Sequence, residues 1–411
     1  MAVLDTTALA AVLKVQYTQS KVRNLAYPKN PFFAQVKKRT DFVGANKQVA
    51  VRYGNPQARG AAFATALANM STSSYVPFVI TRKSDYAFAQ ITNEAILASA
   101  NDSGALLRGL KAEIDGAMYT ATRSICTALF RNSGGARGQI SSGSSVAGTT
   151  ITLANISDVV NFEKGMVLNL SAADGTSGAK RTGTVTLTAV DRDAGTLTAS
   201  ANWNTITGAA VSDYIFQNGD IEATKSMLSG LGAWLPLTAP TGGDNFFGVD
   251  RSVDPVRLAG VRYSANAGGP IEETLTEAAW RVYREGGVPD TCYLNPQDFS
   301  LLVRALATKV IYDRAKSFDE SDIGFKSVQL MGPGGPINII AEINCPKGYA
   351  YMLQLDTWSL ETLGSAPMIL GEAGDGLKML RDTSTDSYVL RIGYYGNLIC
   401  EAPGWNAVVT L

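Results

Sequence analysis

One amphipathic stripe limits the architecture of this 411-residue chain more than any other feature. Leu106, Leu110, Ile114, Met118, Ala121, Ile125 and Leu129 recur every three or four positions, while Arg108, Lys111, Glu113, Asp115 and Arg123 lie off the stripe. Asp102 or Ser103 can cap its start and Gly134 its end, which predicts one helix from about Gly104 to Arg131. At 1.5 Å per residue this is a rod of roughly 42 Å, well beyond the usual helix length. Such a rod is an architectural spine.

What surrounds the rod is mostly strand. Gln48 to Tyr53 and Tyr75 to Gln90 read as two strands rich in Val, Ile, Phe and Tyr, separated by about twenty residues with little core-forming pattern. A hairpin of that kind cannot bury itself, so it is expected to project as an arm toward a neighbour's surface. Ahead of it, residues 1 to 60 hold ten basic and two acidic residues, a local net of +8 in a chain whose 36 basic and 36 acidic residues cancel. Such asymmetry suggests a basic segment that meets an acidic neighbour, whether a subunit, a partner protein or nucleic acid. Within it Leu9, Val12, Leu13 and Tyr17 predict a short helix, followed by an irregular stretch through Tyr27, Pro28, Pro31, Phe32 and Phe33.

After the rod, GGARGQISSGSSVAGTT reads as a flexible linker, and helical periodicity vanishes as far as Asp220. Ile151 to Leu153, Met166 to Leu170, Thr184 to Val190, Thr196 to Ala199 and Tyr214 to Phe216 predict short strands, with Asp191 to Gly195 as a hairpin turn. This segment is expected to be an inserted small β-barrel or sandwich. A second helix starts at Pro270, with Glu272 and Glu273 in its first turn, Arg281 and Arg284 in its last, and Gly286 beyond. A strand at Thr291 to Leu294, a helix opened by Asn295-Pro296 through Phe299, Leu302 and Leu306, and strand-like runs from Ser387 complete an α+β chain.

The composition excludes much chemistry. With no histidine, imidazole acid/base catalysis, His-assisted nucleophiles and His-containing zinc sites are unavailable. Cys126, Cys292, Cys345 and Cys400 form no CxxC pair and read as free, buried thiols. Gly332 to Pro336 and Gly371 to Gly376 lack the Lys and Ser/Thr of a phosphate loop and the βαβ frame of a dinucleotide site. Asp191 and Asp193 read as turn residues rather than calcium ligands, the acidic stretch Asp319, Glu320 and Asp322 marks no known site, and Glu272 with Glu273 reads as helix-terminus electrostatics. No catalytic, cofactor or metal residues are expected. The first twenty residues have no secretory pattern and no stretch is apolar enough to span a bilayer, so a soluble, intracellular product without membrane contact is expected.

The order of parts, with the phrases Asn245-Phe-Phe-Gly-Val-Asp-Arg251 through Asp254-Pro255 and Gly286-Gly-Val-Pro-Asp290 through Asn295-Pro296-Gln-Asp298-Phe299, resembles the major capsid proteins of tailed double-stranded DNA phages, the Hong Kong 97-like fold. The resemblance implies an N-arm over 1–47, an extended E-loop over 48–92, a peripheral domain with the spine helix over 93–135, an inserted β-rich domain over 136–220, and more peripheral domain over 221–287. An axial domain would follow over 288–385, and terminal strands over 386–411 would return to the peripheral domain. It implies hexamers and pentamers that tile an icosahedral shell in the virion, assembled in the host cytoplasm around scaffolding and with a portal protein before double-stranded DNA is packaged inside, with a decoration protein as a further partner.

Intersubunit contacts are then expected at Phe63, Leu67, Met70, Tyr75, Arg23, Phe32 and Phe33, and interior contacts with DNA or scaffold at Lys14, Lys21, Lys37, Lys38 and Arg39. No Lys lies between Lys47 and Lys83, so no isopeptide crosslink from the loop tip is expected, and the early start of the hairpin makes the scaffolding protein a separate chain. An encapsulin-like nanocompartment shares the implied fold. A rival of another class is a carbohydrate-binding adhesin that stacks sugars on Trp203, Tyr214 and Phe216.

Overall fold

A computed structural model describes residues 30–92, 103–221, 227–264, 269–307, 328–370, 380–381 and 385–411. Lys14, Lys21, Arg23, the helix expected at 9–17, the acidic stretch at 319–322 and the glycines from 371 lie outside them.

The spine helix spans Ser103–Phe130, within a residue of its sequence limits at each end. Ile114, Ala117, Met118 and Ala121 lie on the inner face of a six-stranded sheet through Ala87, Ala89, Leu390 and Ile392. Alanines on the sheet let the helix approach closely. The organising strand of that sheet is Ser387–Cys400, which pairs antiparallel with Lys83–Thr92 along one side and with Trp358–Thr362 and two short strands along the other. Lys37–Arg39 adds in parallel beside Trp358–Thr362, with Lys37 opposite Ser359. The last turns of the helix, Ile125 and Leu129 to Phe130, enter the main core with Trp234, Trp358, Tyr351 and Leu398.

A second six-stranded sheet has the order Val261–Ser264, Ala407–Thr410, Tyr349–Leu353, Thr291–Leu294, Gly335–Ala341 and Val328–Gly332. The helix Ile271–Arg284 buries Leu275, Ala278, Ala279 and Val282 on it, and the helix Pro296–Ala307 starts where Asn295 Oδ1 accepts from Gln297 N at 3.0 Å. These pairings extend across the expected boundary at residue 288. The strand Val261–Ser264 and the helix Ile271–Arg284 share their core with Cys292, Ile339 and Met352, so this lobe begins near Val261. The terminal strands are also divided: Ser387–Cys400 returns to the spine, whereas Ala407–Thr410 sits inside the second lobe.

The insertion is a barrel. Its strands run in the order Gly138–Gln139, Tyr214–Gln217, Val167–Ser171, Val185–Asp191, Thr196–Ala199 and Thr150–Thr152. A bridge between Ile140 and Leu153 joins the first strand to the last, with Ala154 N donating to Gln139 O at 2.8 Å and Ser141 N to Thr152 O at 2.9 Å. Closure removes the free edges that a small sheet would otherwise expose. Ile151, Phe162, Leu168, Leu187, Leu197, Trp203 and Ile215 fill the interior as a core of its own.

The first half of the segment read as a flexible linker is the opposite, while most residues from Ser142 to Thr150 are exposed. Ser133, Gly134, Gly135, Arg137 and Gly138 are buried, and a Cβ at Gly134 would lie 2.2 Å from Asp174 O. Glycine is needed there because two backbones touch. Arginines complete the joint: Arg131 meets Asp158 at 2.7 Å, Arg137 meets Asp220 at 2.9 Å, and Arg123 Nη2 donates to Val160 O at 2.9 Å.

The arm hairpin pairs Asn46–Gly54 with Ser74–Thr81. The single strand expected from Tyr75 to Gln90 is broken at Arg82, and its second half, Lys83–Thr92, belongs to the spine sheet. The arm therefore ends at Thr81, not at residue 92.

Candidate functional site

The base of the arm follows a period-two rule. Val51, Phe78 and Ile80 turn into the main core with Val49, Tyr53 and Val76 beside them, while Gln48, Ala50, Arg52, Tyr75 and Pro77 face out. Beyond Gly54 the pattern stops, and every residue from Asn55 to Thr72 except Ala66 is exposed. The tip is nevertheless folded. A short helix, Phe63–Ala68, is held by Asn69 N to Thr65 O at 3.0 Å, Asn69 Nδ2 to Arg59 O at 3.0 Å, and Gln57 N to Ser71 Oγ at 2.7 Å.

On this small scaffold Phe63, Leu67 and Met70 fall at i, i+4 and i+7, one face of a helical turn. They are 85%, 56% and 69% exposed, and Tyr75 at the neck is 60% exposed. Among the described residues nothing covers this apolar face, and a contiguous exposed patch of this kind is what interaction surfaces are made of. Its charge is one-sided: Lys47, Arg52, Arg59, Arg82 and Lys83 fall between Asp41 and Asp85 with no acidic residue among them.

The root of the arm is an ionic knot. Glu361, with a side chain only 1% exposed, pairs with Lys47 and lies 3.5 Å from Arg39, which also reaches Glu401 at 3.6 Å. Of the residues expected inside a shell, Arg39 is thus spent on intrachain carboxylates, Lys38 lies 4.2 Å over the Phe33 ring, and Lys37 Nζ donates to Asp356 O at 3.3 Å. All three remain exposed.

Phe32 requires correction. It was expected at an interface but is fully buried, edge-on to Phe130 at 5.4 Å and Tyr293 at 5.3 Å. Its amide donates to Glu342 Oε2 at 3.2 Å, and Asn344 Nδ2 supports that carboxylate while reaching Asn30 Oδ1 at 2.7 Å. Burial pushes the Glu342 carboxyl up, against the pull of these hydrogen bonds. Phe33 is half-buried against the same core. The sugar-stacking proposal fails likewise: Trp203 and Phe216 are fully buried, the Trp203 indole donates to Thr149 O at 2.9 Å, and Tyr214 is half-buried. Asp191 closes its turn by accepting from Asp193 N and Ala194 N at 3.0 and 2.9 Å, as expected of a turn residue.

A cavity of about 360 Å³ lies between the spine helix, the strand Lys83–Thr92 and the barrel. Its lining carries the Arg137–Asp220 pair and a 2.5 Å hydrogen bond from Ser124 Oγ to Asp85 Oδ2. Burial raises the Asp220 carboxyl and lowers the Arg123 guanidinium. These groups tie the barrel to the spine. Among the described residues no three metal-ligating side chains converge, and no helix is long and apolar enough to cross a membrane.

Several exposed apolar residues escaped the sequence reading. Tyr86 and Phe88 stand on the outer face of the spine sheet, and Trp280, Tyr283, Val288 and Trp405 on the second lobe. A signal was present for the first two, since large and small residues alternate through Tyr86-Ala87-Phe88-Ala89, but the alanines face inward.

No protein-family model and no curated protein matches the sequence. Solved structures do. A chain of the cyanophage A-1(L) capsid asymmetric unit is 12% identical at a TM-score of 0.61, over 99% of this chain and 99% of that one. A chain from the capsid of a native GTA particle is 10% identical at a TM-score of 0.51, over 100% and 99%. The holo-SrpI encapsulin complex of Synechococcus elongatus contributes a chain 12% identical at a TM-score of 0.45, over 100% and 96%. The property shared with the first two is the fold, an α+β capsid fold of the Hong Kong 97 type along the whole chain.

Proposed function

We propose that this chain is the major capsid protein of a tailed double-stranded DNA phage, a structural protein that assembles as hexamers and pentamers into an icosahedral shell. The observation that carries the reading is the arm: a prefolded apolar knob, Phe63, Leu67 and Met70, with no cover among the described residues, on a fold otherwise well packed. Pre-organisation lowers the ordering cost of association, and aromatic anchors are the residue type on which interfaces depend.

On this reading the partners are further copies of the chain, a separate scaffolding protein, a portal protein and, at the outer surface, a decoration protein. The chain resides in the virion capsid after assembly in the host cytoplasm. Lys37 and Lys38, with Lys14 and Lys21, meet packaged DNA through phosphate contacts without sequence preference. Arg39 contributes less, because Glu361 and Glu401 already neutralise it.

Negative-stain electron microscopy with light scattering on the full chain, alone and with candidate neighbouring proteins, tests the proposal. Closed shells or hexameric rings support it, and deletion of Gly60 to Ser73 is expected to leave soluble capsomers or monomers. Normal shells from that deletion would remove the arm from the account.

A further inference from the structure

Three contacts from distant parts of the chain meet backbone atoms along the base of the arm, from Thr81 at its root to Tyr53 at its neck. Asn397, fully buried, donates from Nδ2 to Thr81 O at 2.9 Å while its Oδ1 accepts from Ser229 N and Leu398 N. Arg257 donates from Nη1 to Tyr53 O. Phe247 O accepts from Val79 N at 2.9 Å.

The third contact is unusual in its backbone. Asn245–Phe246 and Val249–Asp250 form a hairpin joined by two residues, and both of these have positive φ, +51° at Phe247 and +84° at Gly248. This is the two-residue turn that favours Asn-Gly, and a bulky residue at its first position is a backbone outlier. What holds it is its ring, 4.4 Å from Phe246 and 5.7 Å from Trp234. The hairpin is itself bolted down, because buried Arg251 donates to Ala233 O at 2.7 Å and Asp244 Oδ2 at 2.9 Å and lies 4.3 Å over the Phe246 ring. A strained turn kept by this much packing marks a place where the backbone direction matters.

We propose that Phe247 is a positioning residue: its left-handed backbone aims a carbonyl at Val79 and, with Arg257 and Asn397, fixes the direction in which the arm leaves the body. The break at Arg82 between the arm and the spine sheet is where direction would otherwise be lost. The inference rests on the reading that the arm joins copies of this chain, and it adds that assembly requires an aimed arm as well as a sticky one.

The test compares Phe247→Val with Phe247→Asn in the full chain. Valine disfavours positive φ and turns the carbonyl away; asparagine tolerates it and keeps the carbonyl in place, though it lacks the ring and lowers the melting temperature. In hydrogen exchange on unassembled chain, the Val79 amide is expected to exchange roughly tenfold faster in Phe247→Val, the factor of one ordinary hydrogen bond. It should be unchanged in Phe247→Asn, with Leu168 and Met352 amides unmoved in both. By light scattering, particles should need a higher chain concentration in Phe247→Val and the parent concentration in Phe247→Asn.

If Phe247→Val does not fold, Arg257→Met, at a half-exposed site, should free the Tyr53 end of the clasp and shift particle formation in the same direction. Equal Val79 exchange in the two Phe247 variants, or a freed Val79 with unchanged particle formation, would overturn the inference. Failure of the arm reading itself looks different: the Gly60 to Ser73 deletion builds normal shells while Val79 stays protected.

Discussion

The arm and the barrel are both excursions from one spine, and they treat apolar surface in opposite ways. The barrel closes its sheet through Ile140 and Leu153 and turns Phe162, Trp203 and Ile215 inward. The arm keeps its base in the main core but carries Phe63, Leu67 and Met70 out into solvent on a helix of six residues. One excursion is complete within the chain and the other is half of a contact. On the proposed reading their difference separates an insertion that is large and structurally quiet from a short loop on which association depends.

That contrast can be broken by exchanging the roles of the two regions under mutation. The largest effect is expected at Trp203→Ala, which empties the barrel core and should cost about 3–5 kcal/mol in chemical denaturation. Leu67→Asp should leave the stability of the unassembled chain within about 0.5 kcal/mol, yet raise the concentration needed for particles by about 30-fold if Leu67 behaves as a hot spot of about 2 kcal/mol. A destabilised fold from Leu67→Asp, or unaltered assembly, would erase the distinction. Gly134→Ala sharpens the view of the joint: its Cβ would meet Asp174 O, and overpacking of that kind costs about 1–3 kcal/mol. It should loosen amide protection around Asp174 to Thr176 while the spine sheet stays protected.

The smallest effect concerns Glu342, which holds the segment before the arm. Its folded pKa is raised above the ordinary 4.5 by burial, so its contribution to stability is full below that value and is lost as pH rises through the folded pKa. Glu342→Gln should flatten that part of a denaturation-versus-pH curve, whereas Trp203→Ala should lower the whole curve without changing its slope.

The helix was legible because its signal is local: a stripe at three and four residues and caps at both ends placed it within a residue of Ser103–Phe130. Five of the six barrel strands were legible for the same reason, with Thr196–Ala199 read at its observed limits and four others within a residue or so, whereas Gly138–Gln139 was read as linker. Exposure of Phe63, Leu67, Met70 and Tyr75 followed from a stretch too long and too poor in core pattern to bury itself. Phe32 was illegible because its partners Phe130 and Tyr293 are distant in sequence and nothing beside it is periodic. Gly134 misled because glycine serves freedom and close approach alike, and only the backbone at Asp174 distinguishes them. The lobe boundary failed because Ala407–Thr410 enters a sheet whose other strands come long before it.

The Arg137–Asp220 pair has a consequence for how this chain can vary. The strand of polypeptide that enters the barrel and the one that leaves it are held side by side, close enough that a Cβ on Gly135 would strike Asp220 O at 2.8 Å. The two crossings of the chain therefore share one doorway, which Arg123 braces through Val160 O and Arg131 through Asp158. A cassette whose ends adjoin can vary in length or sequence on its far side while Arg123, Arg131 and Arg137 keep the same partners at the doorway.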